Sequence, residues 1–291
     1  MRNVSSKMRY EISSLFRNRH WHVVKRHLTA KKLLNITRVL TSYCLGWDRT
    51  HSFPVYAKIE TTDACHLRCP GCRYATGGRK NARLNYDLYK RLIDDLKDWL
   101  IEISLYDQGE PLLDQRIHSF VNYASARNIG TSISTSLSMP LSDRNLDKLV
   151  LSGLDYLIVS IDGITQSVYE KYRKGGDLNL VFNNLTRLIQ FKRKRNLKKP
   201  FVEWQMIDLH VNRHQQREAS VVSKRIGCDS FLVKPDYRQS LPPSHYQRKT
   251  RCSLPWFSFA VECDGLVSAC LAKDHNTLYV GDLNRDSILT V

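Results

Sequence analysis

Three of the chain's eight cysteines, Cys65, Cys69 and Cys72, stand in the order C-x3-C-x2-C. Thiolates are soft ligands that select zinc or iron–sulfur clusters. Pro70 and Gly71 keep the stretch from forming an ordinary helix, so a loop able to wrap a metal is expected there. Spacing alone leaves two occupants open. A structural zinc wants four protein ligands, the last then coming from elsewhere in the chain. A cubane 4Fe–4S cluster held by three cysteines leaves one iron open to a small molecule. The other cysteines divide into two kinds. Cys44 sits among apolar residues and Cys228 follows a helix stop at Gly227, so both read as buried thiols. Cys252, Cys263 and Cys270 form a second group in the tail. His210 and His214 straddle a strand end and read as polar surface. The chain has no P-loop, G-x-S-x-G or H-E-x-x-H motif, so the chemistries tied to them have no support.

The elements that must position these residues alternate from Pro54 onward. Strands are expected at residues 55–62, 101–109, 130–138, 156–163, 202–210 and 230–236. Helices are expected at 85–100, 113–127, 143–151, 166–172, 179–194 and 215–226. The fourth strand, YLIVSIDG, is nearly all apolar, as befits a strand buried on both faces. Six βα units imply a parallel sheet with right-handed crossovers. Six are too few to close an eight-stranded barrel. The expected fold is therefore α/β, an open, partial (β/α)6 TIM-like barrel. In such folds sites collect at the C-terminal ends of the strands. The thiol loop, the QGEP segment, STSLS and SIDG all fall there.

Taken together, these motifs resemble the radical SAM superfamily over about residues 54–236. Glu60-Thr61-Thr62 precedes the cysteines as "E-x-T" does in many members. Gly109-Glu110-Pro111 is similar to the "GGEP" segment, with Gln108 in place of its first Gly. Ser134 and Ser136 lie on strand three, and Ser160 and Asp162 on strand four, where the family places polar groups. Tyr169-x3-Arg173-Lys174-Gly175-Gly176 resembles a "YxxxRxGG" segment. The resemblance implies that Cys65, Cys69 and Cys72 hold a 4Fe–4S cluster. It further implies that S-adenosylmethionine (SAM) is bound by Gly109, Glu110, Pro111, Ser134, Ser136, Ser160, Asp162 and Arg173. The implied reaction is reductive SAM cleavage followed by hydrogen-atom abstraction from the substrate, fed by a donor such as flavodoxin or ferredoxin. Many members carry an aromatic residue where this chain has Gly71; Tyr74 is the candidate replacement. Met206 and Ile207 are candidate apolar contacts for the adenine, with core packing as their alternative job.

The flanks have their own texture. Residues 238–251 read as a linker, and 252–270 as a hairpin turning at Asp264-Gly265. The tail is similar to the opening half of a SPASM extension, which implies an auxiliary 4Fe–4S cluster on Cys252, Cys263 and Cys270. The chain stops before that pattern is complete. A SPASM-like tail implies a peptide or protein substrate, with a small molecule or sugar as the alternative and a non-catalytic, cluster-binding member as a further reading. The expected division is a basic amphipathic helical extension at 1–53, a core at 54–237 and a tail at 238–291. Net charge is +17, and eleven Lys and Arg residues stand before residue 52 against Glu11 and Asp48. Such an arm attracts anions. It is expected to pack its apolar side on the core, with a weak membrane-surface contact as its other use. A zinc-stabilised nucleic-acid binder is the reading from another class, but it leaves QGEP and SIDG unexplained, so no nucleic-acid partner is expected. No apolar run approaches the roughly 20 residues of a membrane-spanning helix. The first residues lack an apolar core and a cleavage site, so the expected compartment is cytoplasmic and reducing.

Overall fold

The computed structural model describes residues 18–47, 49–74, 77–78, 80–236, 252–271 and 277–291. Six parallel strands form the frame: β1 (Tyr56–Ile59), β2 (Glu102–Ser104), β3 (Gly130–Thr135), β4 (Tyr156–Ser160), β5 (Phe201–Asp208) and β6 (Ser230–Pro235). They lie in sequence order, each hydrogen-bonded to the next. The helices α3 (Tyr86–Leu96), α4 (Ile117–Ser125), α5 (Asp143–Leu151), α6 (Gln166–Tyr172), α7 (Leu178–Lys194) and α8 (Gln216–Ile226) cover one face. Alternation along the strands sorts the side chains. Ala57, Ile59, Ile103, Ile133, Leu157, Val159, Val202 and Trp204 face the helices and join one buried core. Tyr56, Lys58, Ser104, Ser132, Ser134 and Ser160, at the other phase, face the concave lumen. Met206 belongs to the core set and Ile207 to the lumen set, and neither lines the cleft described below.

Boundaries follow local chemistry. The Asn85 side chain caps α3 by accepting from the N–H groups of Asp87 and Leu88, at 2.8 and 3.1 Å. The expected strand at 101–109 pairs only over Glu102–Ser104. The rest bends into a turn and a short 3-10 helix, Pro111–Leu113, because the chain must turn there to build the site.

Two helices precede the barrel, α1 (Asn18–His27) and α2 (Ala30–Leu45). Fully buried Val23 of α1 packs with Tyr156 and Ile158 and closes the floor of the lumen. A Cβ on Gly130, at the start of β3, would lie 2.0 Å from Val23 Cγ1, so glycine is what admits α1 this close. The His27 ring sits between Asp155 (Nε2 to Oδ2, 3.0 Å) and Asn128 (Nδ1 to Oδ1, 3.1 Å). Val39 of α2 meets Val55 and Ile101, which stand just before β1 and β2. The arm therefore packs on the N-terminal ends of the strands. Cys44, expected to be buried, is exposed. Cys228 packs at the core edge, and burial pushes its thiol up to about 11.

The expected linker, 238–251, lies outside the described residues. After it, α9 (Leu254–Phe257) leads into β7 (Ser258–Val261), β8 (Leu266–Ser268) and β9 (Tyr279–Asp282). The hairpin turns at Asp264-Gly265 as expected, with Gly265 at φ 95°. Its strand β7 pairs in parallel with the free edge of β1, extending the sheet to nine strands among the described residues. Phe259, Val261, Val267 and Leu283 enter the same core as the barrel helices.

Candidate active site

The C-terminal ends of β1 to β4 surround a cleft of about 210 Å³. Cys69, Gly71 and Cys72 form one wall, Gln108, Gly109 and Glu110 a second, and Ser134, Ser136, Ser160 and Arg173 a third. Segments more than 100 residues apart in sequence thus meet at one point, as the motif order implied.

The thiol loop is tied at several places. Cys72 N–H donates to Cys69 O, and Arg68 N–H to Lys174 O, each at 3.0 Å. The Cys72 thiol lies 3.4 Å from Gln108 Oε1. Arg173 Nη1 lies 3.9 Å from Cys69 Sγ. Burial pushes the Cys69 thiol up, against the pull of Arg173. Cys65 is half-buried at the start of the loop and does not line the cleft.

The glycine–glutamate–proline turn is clamped from both sides. Glu60, at the end of β1, accepts the N–H groups of Gln108 and Gly109 on Oε1, at 3.0 and 3.2 Å. A Cβ on Gly109 would lie 1.8 Å from Thr62 O, so only glycine lets the turn meet the strand end. Glu110 N–H donates to Ala64 O at 2.8 Å. The Glu110 carboxylate accepts from Thr135 Oγ1 (2.6 Å) and from the N–H and hydroxyl of Ser136 (2.8 Å each). Glu110 thus lines the cleft while its carboxylate is braced by the end of β3. Buried Pro111 starts the 3-10 turn behind it.

Asp162 is also placed differently from the expectation. It is fully buried and lines no part of the cleft. Its Oδ2 accepts from Arg173 Nε, and its Oδ1 from Ile207 N–H, both at 2.6 Å. Burial works against the Arg173 charge, but Asp162 and then Cys69 outweigh it, holding the guanidinium firmly protonated. Asp162 is thus the post on which Arg173 leans into the cleft. Ser134 and Ser160 Oγ atoms lie 3.2 Å apart across β3 and β4.

Some residues of the site were not singled out from sequence. Tyr106 and Tyr172 line the cleft, whereas Tyr74 does not and stacks under the Arg73 guanidinium. Asp107 lines the cleft and holds Lys58 at 2.8 Å. Burial opposes the Lys58 charge, but Asp107 raises its pKa beyond that penalty. An aromatic or acidic residue just beyond a motif carries no signal in one sequence. Glu60 carried one, as part of the segment before the cysteines.

The tail approaches the same loop. Glu262, just after β7, accepts from Tyr279 Oη at 2.7 Å and from Arg73 Nη2 at 3.4 Å. Cys263 is buried, whereas Cys252 and Cys270 are exposed. Among the described residues no three His, Cys, Asp or Glu side chains converge as on a single ion.

The groups lining the cleft are of the kinds that a cluster and a sulfonium amino acid would use, although Cys65 stands outside it. Two thiols of the loop share it with a guanidinium able to pair a carboxylate and with three serine hydroxyls. The family model of the Radical SAM superfamily matches residues 59–198; the chain carries a radical SAM domain. The tungsten-containing aldehyde ferredoxin oxidoreductase cofactor-modifying protein of Pyrococcus furiosus is 24% identical over 61% of this chain and 50% of its own. Mycofactocin maturase MftC of Mycolicibacterium smegmatis is 26% identical over 49% of this chain and 36% of its own. The chain thus spans half or less of these curated relatives. SuiB of Streptococcus suis, solved with S-adenosylmethionine, superimposes with a TM-score of 0.58 at 12% identity, over 99% of this chain and 75% of that one. SuiB bound to its precursor peptide SuiA gives 0.54 at 13%, over 89% and 68%. These likenesses agree with the open, partial α/β barrel.

Proposed function

We propose that this chain is a radical SAM enzyme acting on a peptide or protein, with Cys65, Cys69 and Cys72 as the residues that would hold its 4Fe–4S cluster. The observation that carries the reading is the meeting of the thiol loop, the Gly109 turn, the serines of β3 and β4, and Arg173 around one cleft. When bound, the cluster and SAM supply one-electron reductive cleavage of SAM and removal of a hydrogen atom from an unreactive carbon. The chain's own residues orient and enclose. Arg173 offers its guanidinium to a carboxylate, held in place by Asp162. Glu60 and Glu110 lock the Gly109 turn so that its backbone faces the cleft. Tyr106 and Tyr172 offer aromatic walls, and α1 closes the lumen from below, excluding water.

The division into extension, core and tail suits this reading, as does an electron donor such as flavodoxin or ferredoxin in a reducing compartment. Among the described residues no helix is long and apolar enough to cross a membrane. The peptide substrate is supported by the maturase and the peptide-bound likeness above. A second reading, a small polar substrate, draws on one observation. The hydroxyls of Tyr56, Ser104 and Ser132 form a chain along the lumen wall with 2.7 Å contacts.

The test is anaerobic reconstitution, iron and sulfide counting, then dithionite and SAM with detection of 5′-deoxyadenosine. About four irons per chain, with product lost in the Cys65, Cys69 and Cys72→Ala triple variant, supports the reading. Irons surviving in that variant would place an auxiliary cluster on the tail cysteines. Zinc without deoxyadenosine refutes the enzyme. Stimulation of product by peptide fractions rather than by small polyols separates the two substrate readings.

A further inference from the structure

The helix α2 packs inward through a mixed face, on which Ile36 and Val39 meet Val55 and Ile101. Its buried stripe is Lys32, Asn35, Val39 and Ser42, and three of these four are polar. Asn35 pairs with the backbone N–H and C=O of Phe53, and Lys32 Nζ donates to Asn128 O. The polar contacts explain why this face is turned inward. Three leucines are nevertheless left outside: Leu33, Leu34 and Leu45 are 51%, 52% and 61% exposed. At helical spacing these residues share one side with Thr37 and Thr41, both exposed. Trp21 within α1 and Trp47 just past α2 are two further exposed aromatic rings. Single exposed leucines need no explanation, but a stripe of this kind on one helix does.

Charge narrows what could cover it. Lys25 of α1, Lys31 and Arg38 of α2 and Arg49 after it are exposed, Lys31 with Asp98 at 3.1 Å, and Arg2, Lys7, Arg9 and Arg17 precede them in sequence. A second copy of the chain would bring these like charges together, which disfavours self-association. A nucleic-acid backbone would satisfy the charges but leave the leucines in water. An anionic bilayer suits both, with apolar side chains in the acyl boundary and Lys and Arg at the headgroups. Indole rings suit that interface too.

We propose that the outward face of α2, with Trp21 and Trp47, docks this protein on an anionic membrane surface. The position makes functional sense. Val23 and Val39 pack at the N-terminal ends of the strands, whereas the cleft lies at their C-terminal ends. Docking by this face leaves the cleft open to the aqueous side, so a soluble substrate can still reach it. The proposal is independent of the substrate and the reaction.

The test is co-sedimentation of the full, reconstituted chain with vesicles of phosphatidylcholine alone or mixed with phosphatidylglycerol. Binding to the mixed vesicles at low salt is expected, weakened at high salt. The Leu33→Ser, Leu34→Ser, Leu45→Ser variant is expected to partition about tenfold less or weaker. All three positions are exposed, so the fold is expected to hold, which circular dichroism checks. A second measurement on the unaltered chain is quenching of tryptophan emission by brominated lipid, lost in Trp21→Phe, Trp47→Phe. Three results would overturn the proposal: no binding to the mixed vesicles, binding unchanged in the triple serine variant, or a dimer that the triple serine substitution makes monomeric. The second would mean that net charge alone adsorbs the chain. The third would give the face to a second copy.

Discussion

The Asp162–Arg173 pair makes the sharpest claim about how the site is held. Asp162 is fully buried and the Arg173 side chain is 15% exposed, with Nε 2.6 Å from the carboxylate. Removing one member of such a pair leaves a buried charge without its partner, which costs about 3–5 kcal/mol. Asp162→Ala also orphans the Ile207 N–H, adding about 1–3 kcal/mol. The double variant Asp162→Ala, Arg173→Ala leaves no unpaired charge, so its cost should fall short of the sum of the singles by about 2–3 kcal/mol. Urea unfolding of the four proteins under argon measures that coupling. Asp162→Asn separates stability from function. It keeps an acceptor for Ile207 N–H but loses the charge that holds Arg173. We expect SAM affinity, read by equilibrium dialysis of the reconstituted chain, to fall about tenfold or more. A coupling below about 0.5 kcal/mol is the value for independent sites and would refute the pairing. Unchanged SAM affinity in Asp162→Asn would refute the idea that Asp162 positions Arg173.

Three further outcomes follow from the same geometry. Glu60→Ala removes the acceptor of two backbone N–H groups and should cost about 1.5–3 kcal/mol, with weaker SAM binding. Glu60→Gln should recover part of both, and equal losses in the two variants would sink the clamp. Gly109→Ala drives a methyl group into Thr62 O, so SAM binding should be lost while circular dichroism still shows a folded barrel. An alanine variant that binds normally would show that the turn can yield. Burial lowers the Lys32 pKa to about 8 from an ordinary 10.5. The unfolded chain therefore holds the extra proton between those values, and stability should rise as pH climbs from about 8 to 10.5. Urea midpoints across that range should climb in the unaltered chain and stay flatter in Lys32→Met. The same slope in both would exonerate Lys32.

How far the site could be read without coordinates depended on the kind of residue. Cys65, Cys69 and Cys72 announce themselves because few structures need three thiols at that spacing. Gly109 and the strand-end serines were legible through motif order. Glu110 and Asp162 were legible as important, but their partners were not. Whether a buried carboxylate faces a ligand or braces a neighbour depends on side-chain and backbone groups brought in by the ends of β3 and α6 and by β5. The arm shows the same limit. Its helical period was plain, yet apolar residues on both sides of one helix do not say which side is turned inward. Here the Phe53 backbone and Asn128 O recruit Asn35 and Lys32, and Val55 and Ile101 receive Val39.

Strand and helix alternation, the open six-unit barrel and the gathering of motifs at one end of the strands were written in the order of residues along the chain. That is so because periodicity and turn chemistry are local, and crossover handedness leaves few ways to connect them. Only the tertiary structure decided that β7 would pair with the free edge of β1, that Asp162 would stand behind Arg173, and that α2 would leave Leu33, Leu34 and Leu45 outside. Each of these depends on which distant groups compete for the same hydrogen bonds and the same buried volume, and that competition has no signature in any short stretch of the chain.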